Sequence, residues 1–259
     1  MSRRSGQLKS PQEIELLARG GAILRSVLEE VAALAQPGTT GAQLDREAER
    51  RLRAAGAEPS FKGYTGDYGR PFPASLCVSV NNAVVHGVPT EEPLQEGDVV
   101  GLDLGCMYKG LYTDTAITII VGRGLPVAVR LITVTRQALA AGIAAVRPGA
   151  TTGDIGLAIQ RVIETAGFSV VRDLTGHGVG YAVHEDPRVP NYGRPGEGTT
   201  LAEDLVIAIE PMVIAGKDDS VRIAEDGWTV LAAEAALTAH EEHTVVVTKD
   251  GARILTLAQ

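Results

Sequence analysis

Cysteine is scarce in this 259-residue sequence, which contains only Cys77 and Cys106. Two thiols are too few for a disulfide scaffold, and we therefore expect a reducing, cytoplasmic compartment. Long hydrophobic runs are also missing, since no segment approaches the roughly 18 apolar residues of a membrane span. The opening stretch MSRRSGQLKSPQEIELL carries basic residues without the apolar core of a signal peptide. These absences argue against a secreted or membrane-bound protein.

Positive charge is also in short supply, because 24 Lys and Arg residues face 32 Asp and Glu residues, for a net charge of −8. A nucleic-acid surface usually needs a basic patch, so this balance argues against direct nucleic-acid binding. A hydrophobic content of 44% and a charged content of 22% are ordinary for a globular protein. We expect a flexible tail over residues 1–9 and a single domain over 10–259.

The chain contains an internal repeat. Residues 30–61 and 142–171 each show a helix-like run, a Pro-Gly pair, a Thr-Thr-Gly element and a second amphipathic run that ends in Ala-Gly. The Pro-Gly pairs and the Ala-Gly pairs recur at the same offset, and Pro and Gly are residues that end helices. Two helix–turn–helix segments can resemble each other by chance, but the shared offset favours two related halves.

Strand-like runs follow each half of the repeat, ASLCVSVNNAVVHG at 74–87 and LVIAIEPMVIA at 205–215. Pairs of helices followed by strands are typical of an α+β fold in which helices cover one face of a curved antiparallel sheet. We therefore predict two pseudo-symmetric halves of this kind, with a functional site between them.

The stretch VVGLDLGCMYKGLYTDTAITIIVG, residues 99–122, predicts a buried hairpin that carries one aspartate on each strand. If Tyr108 and Lys109 form the turn, Asp103 and Asp114 face each other directly, with Cβ atoms about 4.5–5.5 Å apart. Buried like charges in that position are unfavourable. Either one carboxyl group is protonated or a cation lies between the two.

Further candidate ligands follow in apolar surroundings. LTGHGVGYAVHEDP holds His177 and His184, LVIAIEPM holds Glu210, and AHEEHTVVVT holds Glu242. Each alone is more simply explained as a structural histidine or an exposed glutamate. Two Asp, two Glu and one His together offer mainly oxygen ligands, which suit Mn, Fe, Co or paired Zn better than a structural zinc site. Four carboxylates balance two divalent cations and predict a two-metal hydrolytic centre.

These residues occur in an order that resembles the type I methionine aminopeptidases, which have the pita-bread fold. The motifs that carry the resemblance are SVNNAVVHGVP, LDLGCMYKGLYTDTA, GHGVGYAVHEDP, IEPM and EHTVVVT, and it extends from about Ser10 to Gly251. Type I is favoured because the segment between Glu210 and Glu242 leaves no room for the long insertion of type II enzymes. The stretch before His86 is also too short for the extra N-terminal domain of X-Pro aminopeptidases.

The resemblance implies a role for each site residue. Asp103 would bind one metal ion in a bidentate manner, and His177 and Glu210 would bind the other. Asp114 and Glu242 would bridge the two ions, which are divalent Co, Mn, Fe or Zn. Glu210 would also shuttle a proton. His184 near the scissile amide and His86 near the peptide nitrogen complete the catalytic set, as hydrogen-bond donors to developing charge.

The same resemblance implies a methionine pocket formed by Tyr64, Cys77, Val183 and Trp228. Val183 stands where the family often has Phe, an aromatic residue is usual at Leu174, and the loop over 64–73 is longer than usual. The implied activity is removal of the initiator methionine when the second residue is small. N-terminal methionyl peptides and nascent proteins would be the substrates of a monomeric enzyme, and the ribosome is a further candidate partner.

Three alternatives remain at this level. The chain could be another pita-bread aminopeptidase with a different specificity, such as X-Pro, which a screen of short peptides would reveal. It could be an inactive relative that binds proteins or RNA, although all five ligand residues are present. It could be a structural α+β protein with incidental acidic residues, against which the paired aspartates argue.

Overall fold

A computed structural model describes residues 6–66 and 69–258 of the chain. Within these ranges it contains four helices, α1 (Pro11–Ala32), α2 (Gly41–Ala54), α3 (Pro126–Ala144) and α4 (Thr152–Thr165). The strands of the large sheet are β1 (Glu58–Pro59), β2 (Leu76–Val80), β4 (Val99–Tyr108), β5 (Leu111–Ile120), β7 (Thr175–Gly178), β8 (Glu185–Pro190), β9 (Val206–Ile209), β14 (Glu242–Thr248) and β15 (Gly251–Ile254). The remaining short strands are β3 (Ala83–Val85), β6 (Ser169–Val170), β10 (Met212–Ile214), β11 (Val221–Ile223), β12 (Val230–Ala232) and β13 (Thr238–His240).

A nine-stranded antiparallel sheet forms the centre of the fold. Its strand order is β1-β4-β5-β14-β9-β7-β8, with β2 paired to β4 and β15 paired to β14. Two three-stranded sheets, β13-β10-β6 and β11-β12-β3, complete the described part of the chain. The predicted α+β class with an antiparallel sheet and covering helices is confirmed.

The repeat predicted from the sequence is present as two helix pairs, α1–α2 and α3–α4. The second helix of each pair begins at a capping box, with Thr40 or Thr151 as the N-cap residue. The glycines of the two Pro-Gly pairs, Gly38 and Gly149, have φ angles of 92° and 83°, a left-handed conformation that glycine adopts without strain. The same local chemistry therefore ends and restarts the helices in both halves.

Each half has its own hydrophobic core beneath its helices. In the first half α1 and α2 pack on β2 and β4 through side chains such as Leu28, Leu44 and Leu102. In the second half α3 packs on β9 and β14 and α4 packs on β8, through side chains such as Leu131 and Ile159. These five side chains are at most 1% exposed. The sheet is therefore shared by the two halves, and its middle strands lie where they meet.

Helix α3 is long and apolar enough to cross a membrane by length and composition alone. The expectation that no segment approaches this length was therefore too strong. In this fold Leu131 and Ala138 of α3 are fully buried, and the helix packs on α4 and the sheet as a core helix does.

The β4–β5 hairpin is present, but its turn lies one residue later than expected. Lys109 and Gly110 occupy the turn with φ angles of 53° and 85°, the positive values that the preferred two-residue hairpin turn requires. Asp103 consequently pairs with Ala116, and the prediction that Asp103 and Asp114 lie directly opposite each other is wrong. The shift moves the partner by two residues, so both carboxyl groups remain on one face of the sheet.

The N-terminal segment is attached to the domain from Leu8 onwards. Leu8 forms a β-bridge with Leu205, and the side chain of Lys9 is fully buried, with its Nζ atom 2.8 Å from Oε2 of Glu185. Residues 1–5 of the predicted tail lie outside the described residues.

Candidate metal centre and substrate cleft

A cleft of about 590 Å³ lies at the middle of the large sheet. Of the eleven residues predicted as ligands, catalytic groups or pocket residues, the structure brings ten to its walls, namely Tyr64, Cys77, His86, Asp103, Asp114, His177, His184, Glu210, Trp228 and Glu242. Val183 does not line the cleft directly, but it packs with Cys77 and Trp228 in one apolar cluster beside it.

The five candidate ligands converge because five neighbouring strands each contribute one of them. In sheet order these strands are β4, β5, β14, β9 and β7. They carry, in the same order, Asp103, Asp114, Glu242, Glu210 and His177, with Glu210 directly after the last residue of β9. A set that is scattered over the sequence is therefore brought together in space.

The donor atoms of this cluster fit a metal ion. Asp114, His177 and Glu242 each offer a ligand atom, and these three atoms lie within 4.8 Å of one another. The Oδ1 atoms of Asp103 and Asp114 are buried and have no hydrogen-bond partner within residues 6–66 and 69–258. Buried polar atoms are normally paired, so unpaired carboxylate oxygens on one face indicate a site for a cation.

His177 is held with the correct nitrogen toward the site. Its Nδ1 atom lies 2.9 Å from the carbonyl oxygen of Gly178, so an N–H on Nδ1 can donate there and leave the Nε2 lone pair for a metal. Burial lowers the pKa of His177 to about 3, which keeps the imidazole neutral at neutral pH. The neutral form is the one that binds metals.

The carboxyl groups of the cluster resist ionisation in the absence of a cation. Burial raises the pKa of Asp103 to about 6 and that of Glu210 to about 8. Burial, reinforced by the neighbouring carboxylates, raises the pKa of Asp114 and that of Glu242 well above the usual range. Bound cations would remove this repulsion, which makes metal and protons competitors for one site.

Two histidines border the cluster on the cleft side. His184 lies 2.7 Å from the hydroxyl group of Tyr64 through Nδ1, and its ring centroid is 4.3 Å from that of His177. His86 directly follows β3 in a left-handed conformation, with φ at 57°. Burial lowers the pKa of His86 to about 4, so its imidazole is also neutral near pH 7.

An apolar pocket adjoins the metal cluster. Cys77, Val183 and Trp228 pack there with Phe61 and Phe72. The rings of Phe72 and Trp228 meet edge to face with centroids 5.2 Å apart. Sequence reasoning missed both phenylalanines, although the chain has only three, and Phe61 shortly precedes the unusual loop while Phe72 lies within it. Two residues of that loop, 67 and 68, lie outside the described residues.

Leu174 takes part in a different cluster from the other pocket residues. It lines the cleft and packs beside Met212 in the core between the two short sheets. The absence of an aromatic ring at Leu174 therefore affects a different part of the cleft wall from the pocket around Cys77.

Sequence reasoning also missed His240, which lies behind the cluster. Its Nε2 atom is 3.6 Å from Oε2 of Glu210, and its side chain is only 3% exposed. Burial lowers the pKa of His240. Residues two apart along extended chain point to the same side, so the position two residues before Glu242 was the available signal.

This chain resembles known metallopeptidases over almost its whole length. Residues 15–249 match the model of metallopeptidase family M24. The chain is 45% identical to the methionine aminopeptidase of Clostridium perfringens over 96% of this chain and 98% of that protein. The solved methionine aminopeptidase of Thermotoga maritima superposes with a TM-score of 0.93, at 42% identity, over 97% of this chain and 99% of that one.

A more distant structure shares the fold alone. The prolidase of Pyrococcus furiosus superposes with a TM-score of 0.77 at 23% identity, covering 97% of this chain and 66% of that one. The predicted pita-bread fold is confirmed by these neighbours. With a family match over most of its length and relatives above 40% identity, the chain belongs to metallopeptidase family M24.

Proposed function

We propose that the protein removes the N-terminal methionine from peptides and nascent proteins whose second residue is small. The observation that carries this proposal is the convergence of one ligand residue from each of five neighbouring strands, beside an apolar pocket. The names of the relatives in C. perfringens and T. maritima support the methionine specificity. The likeness to prolidase supports only the fold, so cleavage of X-Pro peptides is the weaker candidate.

Two divalent cations, Mn, Fe, Co or Zn, are the proposed cofactors. Asp103 would hold one ion, His177 and Glu210 the other, and Asp114 and Glu242 would lie between them. Such ions lower the pKa of a water molecule and polarise the carbonyl group that it attacks. Four carboxylates neutralise the charge of two divalent ions, and the mainly oxygen donor set suits these metals.

Glu210 is the proposed proton carrier. Its carboxyl group lies beside His177, with Oε1 3.4 Å from Nε2, and it lines the cleft. From there it can accept a proton from the attacking water and return it to the leaving amine. Burial raises the pKa of Glu210 to about 8 in the metal-free site, and a bound cation would favour the carboxylate form that accepts this proton.

His184 and His86 are the proposed donors to the peptide. If the Tyr64 hydroxyl group donates to Nδ1 of His184, the ring proton lies on Nε2, where it can stabilise charge that develops on the scissile amide. His86 approaches the same cleft from the end of β3. Neither residue belongs to the group of three ligand atoms described above.

The apolar pocket is the proposed site for the methionine side chain. Its wall contains a thiol at Cys77 and the rings of Phe72 and Trp228. A flexible thioether fills such irregular space and makes favourable contacts with aromatic rings. Two buried free thiols, Cys77 and Cys106, fit the proposed reducing cytoplasm, where nascent chains are available.

The function is tested by release of amino acids from short peptides after Mn²⁺ or Co²⁺ is added to metal-free protein. We expect cleavage of Met-Ala-Ser and no cleavage of Ala-Pro-Ser, while the opposite preference would support the X-Pro alternative. Changing Glu242→Gln should lower the rate by at least about a hundredfold, because the metal-generated nucleophile is lost.

The neighbouring acid provides a matched control. Glu241 is also buried, but its Oε1 atom is 2.9 Å from Nε of Arg136 and it does not line the cleft. Glu241→Gln should therefore retain its metal and most of its activity. A Glu242→Gln enzyme with normal rate and full metal content would overturn the assignment.

A further inference from the structure

Glu210 lies between two imidazole rings. Nε2 of His177 is 3.4 Å from one of its oxygens, Oε1, and Nε2 of His240 is 3.6 Å from the other, Oε2. The proposed function uses only the first of these histidines. The second is the more deeply buried, at 3% exposure against 7% for His177.

His240 has a fixed backbone and an unsatisfied side chain. Its backbone N–H donates to Oγ1 of Thr118 at 2.9 Å, and its carbonyl oxygen accepts from the same hydroxyl group at 2.6 Å. The Nε2 atom has no hydrogen-bond partner in the described part of the chain. An unpaired buried polar atom costs about 1–3 kcal/mol. A ring that is held rigidly at this cost in free energy needs a hydrogen-bond partner in the functional state of the site.

Oε2 of Glu210 is the carboxylate oxygen that the structure places beside that nitrogen. Their separation of 3.6 Å is just beyond hydrogen-bond range, and a shift of about 0.5 Å would bring the two atoms into contact. His240 does not line the cleft, so it does not reach a peptide there.

We propose that His240 is a positioning residue for the metal centre. Its Nε2 atom would donate to Oε2 of Glu210, which leaves Oε1 to bind the ion beside His177. Groups that hold a metal ligand from behind fix its orientation, and their loss typically weakens metal binding by about 10–100-fold. The inference rests on the proposed metal-dependent function, since Glu210 needs this orientation only when a cation is bound.

The test is calorimetric titration of Mn²⁺ into metal-free protein. His240→Leu removes the donor, and we expect its Kd for Mn²⁺ to rise at least about tenfold. His240→Gln places an amide N–H in nearly the same position and should stay within about threefold of the parent. His240→Asn keeps a polar group but is too short to reach Glu210, and it should behave like His240→Leu.

His243, which lies three residues further along the chain in β14, provides a matched control. It is partly buried, but its Nδ1 atom is 2.9 Å from Oγ1 of Thr256, and it does not line the cleft. His243→Leu should therefore leave the Kd for Mn²⁺ within about threefold of the parent. Thermal melts of the metal-free variants establish that each of them is folded.

Two further measurements separate positioning from other roles. If His240 acts through Glu210, His240→Leu should have little additional effect in a Glu210→Gln background. The visible absorption spectrum of Co²⁺-loaded His240→Gln should match that of the parent, because a positioning residue is not itself a ligand. A changed spectrum, or additive losses in the double variant, would overturn the proposal.

An unchanged Mn²⁺ affinity in folded His240→Leu or His240→Asn would overturn it as well. None of these measurements uses a peptide. Failure to cleave Met-Ala-Ser would therefore count against the proposed function and leave the role of His240 supported by its own titrations.

Discussion

Removal of the metal should make the stability of this protein fall as the pH rises above about 6.5. Burial raises the pKa of Glu210 from 4.5 to about 8. Between these pH values the folded protein keeps a proton that the unfolded chain has already released. The folded state then binds more protons than the unfolded state, so its free energy of unfolding decreases with pH until Glu210 has ionised. The raised pKa values of Asp114 and Glu242 act in the same direction.

The buried histidines restrict the range in which this effect is visible. Burial lowers the pKa of His177 to about 3 and that of His86 to about 4. These rings are neutral in the folded protein while the unfolded chain still binds protons, so they make stability rise with pH up to their ordinary pKa of about 6.5. At that pH half of the unfolded rings are still protonated, so each ring adds only about 0.4 kcal/mol more at higher pH, and the carboxyl groups dominate.

From pH 6.5 to 8, Glu210 alone should lower the free energy of unfolding by about 1.5 kcal/mol. For a protein of this size, that corresponds to a fall in Tm of about 3–6 °C. Mn²⁺ at a hundred times its Kd at pH 6.5 should restore about 2.7 kcal/mol, and the same Mn²⁺ concentration should restore more at pH 8, because fewer protons compete for the site. Thermal melts with chelator and with Mn²⁺, at pH 6.5 and pH 8, measure each quantity.

Asp114→Asn is the matched variant for this experiment. It removes one repelling charge, so in chelator at pH 8 it should melt above the parent. In Mn²⁺ it should melt below the parent, because the same change deletes a proposed bridging ligand. If Asp114→Asn lowers Tm equally in both states, or if the metal-free parent is more stable at pH 8 than at pH 6.5, the repulsion account is refuted.

Three other changes have defined outcomes. His184→Ala should keep its full metal content but lose at least about a hundredfold in turnover, because it stabilises the transition state; a missing ion would make it a ligand instead. The parent should cut Met-Ala and resist Met-Leu peptides, and Val183→Phe should sharpen discrimination between methionine and norleucine by about 1–3 kcal/mol at most; equal cleavage of Met-Ala and Met-Leu would contradict this. Lys9→Met leaves Glu185 buried without its ion-pair partner and should lower the free energy of unfolding in urea by about 3 kcal/mol. Arg172→Met, at an exposed ion pair, should lower it by less than about 1 kcal/mol. Equal losses in the two variants would refute the distinction.

The helix pairs could be predicted because their signals are local. Pro-Gly before a Thr cap occurs within a few residues and directly determines where one helix ends and the next begins. The order of the strands could not be predicted in this way. Strand β14 comes from the end of the chain and inserts between β5 and β9, a pairing that no local pattern encodes.

The hairpin shows how the predicted position of a turn decides which residues are predicted to pair across the two strands. Placing the turn at Tyr108 and Lys109 gave the correct strands and the correct face but the wrong partners for Asp103 and Asp114. Gly110 favours the later turn because it accepts a positive φ without strain. Alternation along the strands depends only on the two-residue period, so the shared face was the more secure part of the prediction.

Site residues could be predicted where their type is costly to bury, as with the acids. They could be predicted less well where they are ordinary apolar residues or depend on a distant contact. Buried acids such as Asp103 and Glu242 attract attention because an isolated charge in a core is unfavourable. Phe61 and Phe72 are ordinary apolar residues, and only the folding of their loop brings them beside Trp228. His240 was overlooked because its importance depends on a contact with Glu210 across two different strands.

Anomalous diffraction from crystals loaded with Mn²⁺ tests the metal centre most directly. The account predicts two peaks in the cleft, with Asp114 and Glu242 between them, Asp103 on one side and His177 on the other. A single peak away from these residues, or no peak in protein that cleaves Met-Ala-Ser, would contradict it.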